Sequence, residues 1–434
     1  MSDRKLKNPY RLHFYSFFRT GFMKLKIQIV IVALLRIILN TMHRMVYPFL
    51  TIFAHGLGVD VTAISFALAG RNAAGIFGPI LTPLANRRGR KFGMLAGIIA
   101  FTLGVGLVAV YPNLFTLSAA LILAILGKTL FDPTVQAYFG DRVPYHQRGT
   151  ALAVTEMSWS LAFIIGVPAM GYLISRFGWS APFPVLAIFG LGMFAVVWWL
   201  IPRETESPSD TTDGAGKIQQ QAATLDSHQN IQAVFASIPA LAGIAIGLWA
   251  SAANEMVNLI FGLWLADSFG LQIAALAGAS VVIGLSELSG EGLVALTTDR
   301  IGKPRAIAIG LIGNVLASIL LPFIGRTEIG ALIGLFLFYI SFEYTVVSLL
   351  PLMTESVPQA RATVMAANLV GFGIGRSLGA FLSTFIYLRL GFLPVTLIAV
   401  LFNVFAMLAL AEVQQKIILL PHMIAWLKRT FQTG

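Results

Sequence analysis

The sequence predicts an all-α integral membrane protein with about 12 transmembrane helices arranged as two pseudo-symmetric six-helix bundles. Three observations carry this prediction: an extremely apolar composition, a series of long apolar runs, and an internal repeat. Hydrophobic residues make up 57% of the 434 residues and charged residues 11%, with a mean hydropathy of +0.81. Soluble domains carry about 25% charged residues, so lipid is the expected solvent for this chain.

The apolar runs define the spans, because a transmembrane helix needs about 20 consecutive apolar residues. Very short turns separate the third run from the fourth and the ninth from the tenth, so eleven spans are the alternative count. The twelve predicted spans are Ile27–His55, Thr62–Ala85, Phe92–Tyr111, Leu114–Gly140, Thr150–Ser175, Ala181–Ile201, Ile231–Ala266, Leu271–Thr297, Ala306–Ile324, Ile329–Met353, Ala362–Leu388 and Phe392–Ala411.

Composition also divides the chain into regions. Residues 202–230 are rich in Ser, Thr, Asp and Gln and are predicted to be a flexible cytoplasmic linker. The linker separates an N-terminal six-helix bundle, residues 27–201, from a C-terminal bundle, residues 231–411. Residues 1–26 mix basic and aromatic side chains, and the tail 412–434 carries Trp426 and Lys428 after an apolar run. Both ends are predicted to lie at the membrane interface, with no cleaved leader.

The net charge of +11 is explained by topology. If both termini are cytoplasmic, only Arg176, Arg326 and Arg389 fall in the opposite loops, whereas the cytoplasmic segments hold most of the basic residues. This distribution follows the positive-inside rule. We therefore expect a cell-membrane (inner or plasma membrane) protein with cytoplasmic N- and C-termini, and no nucleic-acid partner.

An internal repeat relates the two halves. Arg87, Gly89 and Gly178 recur as Arg300, Gly302 and Gly391, each 213 residues later. A constant displacement of about half the chain, equal to six spans, predicts two halves that run in the same direction. Such halves are related by an axis along the membrane normal, with a binding site between them near the midplane.

Several function classes are excluded by missing residues. The chain has no cysteine, which excludes disulfides, thiolate metal sites and cysteine nucleophiles. No Gly-Lys-Ser/Thr phosphate loop and no His-Glu-x-x-His metal motif occurs. We expect no enzyme activity, no cofactor and no metal.

Two loop motifs carry a resemblance to a known family. Asn86-Arg87-Arg88-Gly89-Arg90-Lys91 resembles the motif between spans two and three of the major facilitator superfamily, and Asp299-Arg300-Ile301-Gly302-Lys303 resembles its second copy. Val143-Pro144 with Arg148-Gly149-Thr150, repeated as Val357-Pro358 with Arg361-Ala362-Thr363, is similar to the loop after span four. The family usually has Gly and Asp where this chain has Thr82 and Asn86. The antiporter-like motif of span five is only partly present, since Val167 and Tyr172 replace glycines.

The resemblance implies a cytoplasmic gate at these loops. Glycines permit tight turns there, and the basic residues can pair with acids at neighbouring helix ends, with Asp141 and Glu355 as the natural partners. Pairs of this kind favour the outward-facing state. The predicted gate residues are Asn86, Arg87, Gly89, Arg90, Asp141, Arg148, Asp299, Arg300, Gly302, Glu355 and Arg361.

A second set of polar and ionisable residues lies inside the predicted spans, where each charge costs about 2.5–3.5 kcal/mol and marks a cavity or a partner. Basic residues predominate in the first half and acidic residues in the second. Glu287 and Glu291, four residues apart, share a helix face. Glu255, Glu287 and Glu343 are the candidate proton carriers. The predicted substrate and proton pathway consists of Arg36, Asn40, His43, Arg71, Lys128, Asp132, Glu255, Glu287, Glu291, Glu343 and Arg376.

The resemblance implies a secondary active transporter that moves a small organic solute by alternating access, and we expect proton-coupled export. One alternative is a proton-coupled importer of an organic anion or sugar, which the buried arginines suit. Another is a transporter-like receptor that moves no substrate. The expected partners are the lipid bilayer, a small-molecule substrate and protons, and the expected state is a monomer.

Overall fold

The computed structural model describes residues 9–81, 88–143, 151, 153–202 and 229–413, with side chains from residue 25 onward. Within these ranges the chain is helical without β-strands, and twelve helices are long and apolar enough to cross a membrane. The predicted fold class is confirmed, and the count is twelve. Spans 1 to 12 are Leu25–Arg44, Val61–Leu81, Arg90–Val110, Leu114–Arg142, Ala153–Phe177, Pro182–Leu200, Ile238–Phe269, Ile273–Ile301, Lys303–Ile324, Glu328–Ser356, Pro358–Leu390 and Phe392–Val413.

Some helices differ from these span limits. The first helix is Pro9–Arg44, so it continues without a break through the segment predicted to be interfacial. The main helix of span 2 is Val61–Gly75, and span 11 begins with a 3₁₀ turn, Pro358–Ala360, followed by the helix Arg361–Leu390. Span 5 contains the helices Ser158–Leu161 and Val167–Phe177 on either side of a π-helix, Ala162–Gly166.

A break follows the helix of span 1, and a break at the matching position of the second half divides span 7. The first helix ends at Arg44 and a short helix, Leu50–Leu57, follows. The uninterrupted span predicted over Ile27–His55 is therefore wrong, because Pro48 lacks an amide hydrogen and cannot continue the helical ladder. Span 7 divides into Ile238–Asn258 and Phe261–Phe269 without a proline. Broken helices place polar groups at mid-membrane depth where they line a protein interior.

The repeat seen in the sequence recurs in backbone geometry. Three pairs of glycines have matching positive φ angles: Gly58 and Gly270 at 63° and 65°, Gly89 and Gly302 at 95° and 88°, Gly178 and Gly391 at 90° and 83°. Glycine suits these helix-end turns because it has no Cβ to clash at positive φ. Since consecutive spans alternate in direction, Gly58, Gly178, Gly270 and Gly391 lie at one end of the bundle, here called the Gly58 end. Gly89 and Gly302 define the opposite, Gly89 end.

The two halves meet along spans 2 and 11 and along spans 5 and 8. Toward the Gly58 end, Ser65 and Thr384 share a hydrogen bond of 2.7 Å, and the rings of Phe163 and Phe261 lie 6.4 Å apart. Gly262 faces the backbone of Pro48 so closely that an added Cβ would lie 2.5 Å from the Pro48 carbonyl oxygen. The halves are therefore packed together at the Gly58 end.

Some predicted features fall outside the described residues. These are most of the linker 202–230, the tail from residue 414, residues 1–8, and the gate residues Asn86, Arg87 and Arg148. Pro133 and Pro351 lie inside continuous helices, and Pro168 follows the π-helix of span 5.

Candidate substrate and proton site

The break after span 1 brings a polar network to span 7. The Tyr47 hydroxyl donates to Glu255 Oε1 at 2.8 Å, and Asn72 Nδ2 donates to the same oxygen at 3.1 Å. Arg71 donates to the Tyr47 hydroxyl at 2.5 Å and to the His43 carbonyl at 2.8 Å. Arg71 and Glu255 are both fully buried. The carboxylate of the second half is thus linked to a cation of the first half through a hydroxyl and an amide.

Glu255 is also supported from its own half. Asn258, the last residue before the break in span 7, donates from Nδ2 to Glu255 Oε2 at 3.3 Å. The Tyr339 hydroxyl donates to Asn258 Oδ1 at 2.8 Å and orients the amide. Both carboxylate oxygens therefore have partners, which is the condition for keeping a charge in a low-dielectric interior.

A direct ion pair joins the halves between spans 1 and 8. Arg44 Nη1 and Nη2 each lie 2.6 Å from an oxygen of Glu287. Arg44 also donates to the Trp159 carbonyl at 3.0 Å and stacks over the Phe163 ring, whose centroid is 3.4 Å from Cζ. Trp159 and Phe163 flank the start of the π-helix in span 5, and such helices are frequent at functional sites.

A separate cluster lies within the first half. Arg36 bridges Asp132 and Glu156 with N–O distances of 2.9 Å to each carboxylate. Lys128 pairs with Asp132 at 2.5 Å and donates to Asn40 Oδ1 at 2.6 Å. This cluster ties spans 1, 4 and 5 together, and its charges are mutually compensated.

The Trp159 ring contacts positively charged side chains from both halves. The centroid of its ring lies 4.3 Å from Arg44 Cζ, 5.4 Å from Lys128 Nζ and 5.6 Å from Arg376 Cζ, and the His43 ring is 5.5 Å away. Three cations and a histidine from both halves therefore surround one indole that is itself partly exposed. Aromatic faces attract cations through the ring quadrupole.

Two charged side chains of the site, Glu343 and Arg376, make neither a hydrogen bond nor an ion pair with any described residue. Glu343 in span 10 is 8% exposed, packs against Gly290 of span 8, and makes no hydrogen bond or ion pair there. Arg376 in span 11 contacts the Trp159 ring, but its Nε is buried without an acceptor. Neighbouring Glu291 receives a hydrogen bond of 3.3 Å from Ser160.

All eleven residues of the predicted pathway lie in the interior, buried or half-buried. Arg36, Asn40, Lys128 and Asp132 form one cluster inside the first half, whereas Glu255, Glu287, Glu291 and Arg376 contact residues of the opposite half. His43 and Arg71 contact only residues of the first half, and Glu343 only residues of the second. The sequence ranked Glu255, Glu287 and Glu343 together, whereas the structure separates two partnered carboxylates from one unpartnered. Trp159 was missed. Its position in mid-span is the signal that could have found it, since tryptophan usually sits at the membrane interface.

The pair of Arg90 and Asp141 is as expected for the latch, whereas the partner of Glu355 is not the expected Arg300. Arg90 lies 3.4 Å from Asp141, and Lys303, not Arg300, pairs with Glu355. Each pair joins adjacent spans of one half, 3 to 4 or 9 to 10, so neither connects the halves. Asp299, Arg300 and Arg361 are exposed, with no ion pair among the described residues.

The fold and a chain-length sequence similarity place this arrangement among known transporters. A crystal structure of a mutant peptide transporter, POT, in complex with sulfate is similar with a TM-score of 0.71 at 14% identity, over 91% of this chain and 95% of that chain. An uncharacterized MFS-type transporter of Bacillus subtilis, YwfA, is 26% identical over 85% of this chain and 89% of its own length.

Two further relatives have more specific names. The sialic acid transporter NanX of Escherichia coli is 24% identical over 69% of this chain and 71% of its own length. A multi-drug resistance efflux pump PmrA homolog of Lactococcus lactis is 24% identical over 62% of this chain and 65% of its own length.

The family model of the Major Facilitator Superfamily matches residues 32–380, which include both broken spans and every residue of the interface site. With twelve spans, two repeated halves and relatives that are transporters, the chain belongs to the major facilitator superfamily.

Proposed function

We propose that this protein is a proton-coupled secondary transporter of a small organic solute, with Glu343 as the residue that carries the proton. The observation that carries the proposal is the contrast among three interior carboxylates. Glu255 and Glu287 accept hydrogen bonds from the opposite half, and Glu343 accepts none from the described residues. An unpaired carboxylate in a dry interior costs several kcal/mol as an anion, and taking up a proton removes that cost.

The link to movement comes from contacts that bridge the halves. The Arg44–Glu287 pair and the hydrogen bonds from Tyr47 and Asn72 to Glu255 join residues of different halves, so rocking of the halves must stretch or break them. A proton or substrate that changes the charge beside these contacts shifts the balance between the two conformations, because it interacts differently with each.

Export is the first candidate for direction, as the sequence resemblance predicts. Similarity to a protein named as a multi-drug efflux pump supports it. Uptake of an organic anion or sugar is the second candidate, favoured by the unpartnered cation Arg376 and by similarity to a protein named as a sialic acid transporter. Export by exchange requires proton and substrate to bind alternately, whereas uptake by symport requires them to bind together.

Proton flux into proteoliposomes tests the proposal. Purified protein is screened with organic anions, sugars and hydrophobic cations, under an imposed pH gradient of either sign. We expect one class to drive flux in wild type and the flux to be lost in Glu343→Gln. Glu328→Gln is the matched control, because Glu328 is an exposed carboxylate at the start of the same helix. Flux that persists in Glu343→Gln contradicts the assignment, and no flux with any class favours a facilitator or a transporter-like receptor.

The same proposal includes the placement of the chain in the membrane. We place the Gly89 end at the cytoplasm, together with both termini, in the cell membrane, and we expect a monomer. The support is the scarcity of basic residues in the loops of the Gly58 end, where Arg176, Arg326 and Arg389 stand. Protease accessibility of epitope-tagged termini in sealed inside-out and right-side-out vesicles checks the orientation.

A further inference from the structure

We propose that Arg376, Asn254 and His43 form a binding site for the carboxylate group of the substrate, against the face of Trp159. The inference rests on the proposed function and names its substrate class as small organic monoacids. It follows from the charge balance around Trp159, from polar atoms left without partners, and from the position of these residues between the halves.

One of the three cations around the Trp159 ring has no counter-ion among the described residues. Of the three cations around the Trp159 ring, Arg44 is paired with Glu287 and Lys128 with Asp132. Arg376 has no acidic partner among the described residues. A cation without a counter-ion is costly in a membrane interior, so a ligand that brings one negative charge stabilises the site.

The unpartnered polar atoms specify the kind of group that binds. Arg376 Nε and Asn254 Nδ2 are buried without a hydrogen-bond partner, and both can only donate. His43 Nε2 is buried without a partner as well. The Asn254 and His43 residues are 4% and 5% exposed, so water satisfies them poorly. A carboxylate accepts several hydrogen bonds at once and fits this set of donors.

The three residues come from spans 1, 7 and 11. The His43 ring lies 5.5 Å from the Trp159 ring, and Arg376 Cζ lies 5.6 Å from the centroid of the same ring. Spans 7 and 11, which carry Asn254 and Arg376, pack closely, since an added Cβ on Gly379 would lie 2.6 Å from the Ala252 carbonyl oxygen. Trp159 and Arg376 are both half-buried, so the site remains accessible to a ligand.

Charge also sets the valence of the ligand. A neutral solute leaves Arg376 uncompensated, and a cation is repelled by it. A phosphate monoester carries a charge of about −1.5 to −2 at pH 7, which exceeds the single positive charge of Arg376. A monocarboxylate balances the site.

Equilibrium binding by calorimetry in detergent tests the site without any gradient. The probes are benzoate, sialic acid, and benzyl alcohol as a neutral analogue of benzoate. We expect at least one acid to bind wild type and benzyl alcohol to bind at least about tenfold more weakly. Arg376→Gln should weaken acid binding at least about tenfold, while Arg376→Lys should retain part of it. Arg389→Gln, which changes an exposed arginine at the end of the same helix, should leave affinity unchanged.

Three results overturn the inference: no binding of either acid, equal binding of benzyl alcohol, or unchanged affinity in Arg376→Gln. If Arg376→Gln does not fold, Asn254→Leu removes a donor instead and must weaken acid binding. If a neutral or cationic solute drives proton flux and no carboxylate binds, the carboxylate site is contradicted but the proposed function is supported. If a carboxylate binds and the protein moves no protons, the site is supported but the proposed function is contradicted.

Discussion

Arg44 of span 1 and Glu287 of span 8 form a bidentate ion pair across the two halves, with both N–O distances at 2.6 Å. The two side chains are only 3% and 4% exposed. Each charge therefore depends on the other for compensation, and the pair is a buried contact that conformational change must disrupt. This relationship leads to the first prediction.

Glu287→Gln should lower the free energy of unfolding by about 3–5 kcal/mol, because it leaves Arg44 buried without its counter-ion. Chemical unfolding in detergent, followed by circular dichroism, measures the change. The double variant Arg44→Met, Glu287→Met should recover most of the loss, since removing both charges avoids the penalty. Asp141→Asn is the control and should cost at most about 1 kcal/mol, because the Asp141 side chain is 58% exposed in its pair with Arg90. A single variant as stable as wild type would count against the pair.

Glu343→Gln should leave the unfolding free energy unchanged or raise it, in contrast to Glu287→Gln. The amide has nearly the shape of the carboxyl group, and no described residue loses a hydrogen bond or a counter-ion when the charge is removed. The same unfolding experiment compares the two variants side by side. A loss of more than about 2 kcal/mol in Glu343→Gln would reveal a partner for its carboxylate.

The uptake candidate predicts that proton binding and anion binding reinforce each other. Glu343→Gln mimics the protonated side chain and removes a negative charge near Arg376, so benzoate should bind it at least as tightly as wild type. Calorimetry measures the ratio of the two affinities. Tighter binding indicates that proton and anion travel together, as in uptake. Weaker binding of benzoate to the variant would contradict joint binding of proton and anion and would favour exchange.

Gly262→Ala should open the Gly58 end, because the added methyl group meets the backbone of Pro48 on the other half. The chain has no cysteine, so Ala277→Cys introduces a single thiol at the contact between spans 5 and 8. Maleimide labelling of this thiol should rise several-fold in the Gly262→Ala background. Gly70→Ala, where an added Cβ meets nothing within 4 Å, should not change the labelling. Equal labelling in both backgrounds would mean that this contact does not control access.

The sequence identified many residues of the site, but it predicted few of the contacts between them. Arg71 and Glu255 were identified as charges inside the predicted spans, but their connection runs through the Tyr47 hydroxyl, which depends on the break at Pro48. Glycine turns lie at Gly89 and Gly302, where the loop motif predicts them. Asp141 pairs with Arg90 as expected, whereas Lys303 instead of Arg300 faces Glu355. A helix face rotates by about 100° per residue, so a displacement of a few residues changes which neighbour a side chain meets.

The sequence by itself determined the twelve spans, the duplicated halves, the turns at their ends and the set of charges placed inside the membrane. These features depend on hydropathy, glycine positions and repeated spacing, all of which are local along the chain or compare two stretches of it. Only the tertiary structure decided which of these charges have an oppositely charged partner and which do not. Arg44 and Glu287 are separated by 243 residues, and their meeting depends on the packing of two bundles. The same packing leaves Arg376 and Glu343 without an ion-pair partner among the described residues, since a partner exists only where another helix presents one.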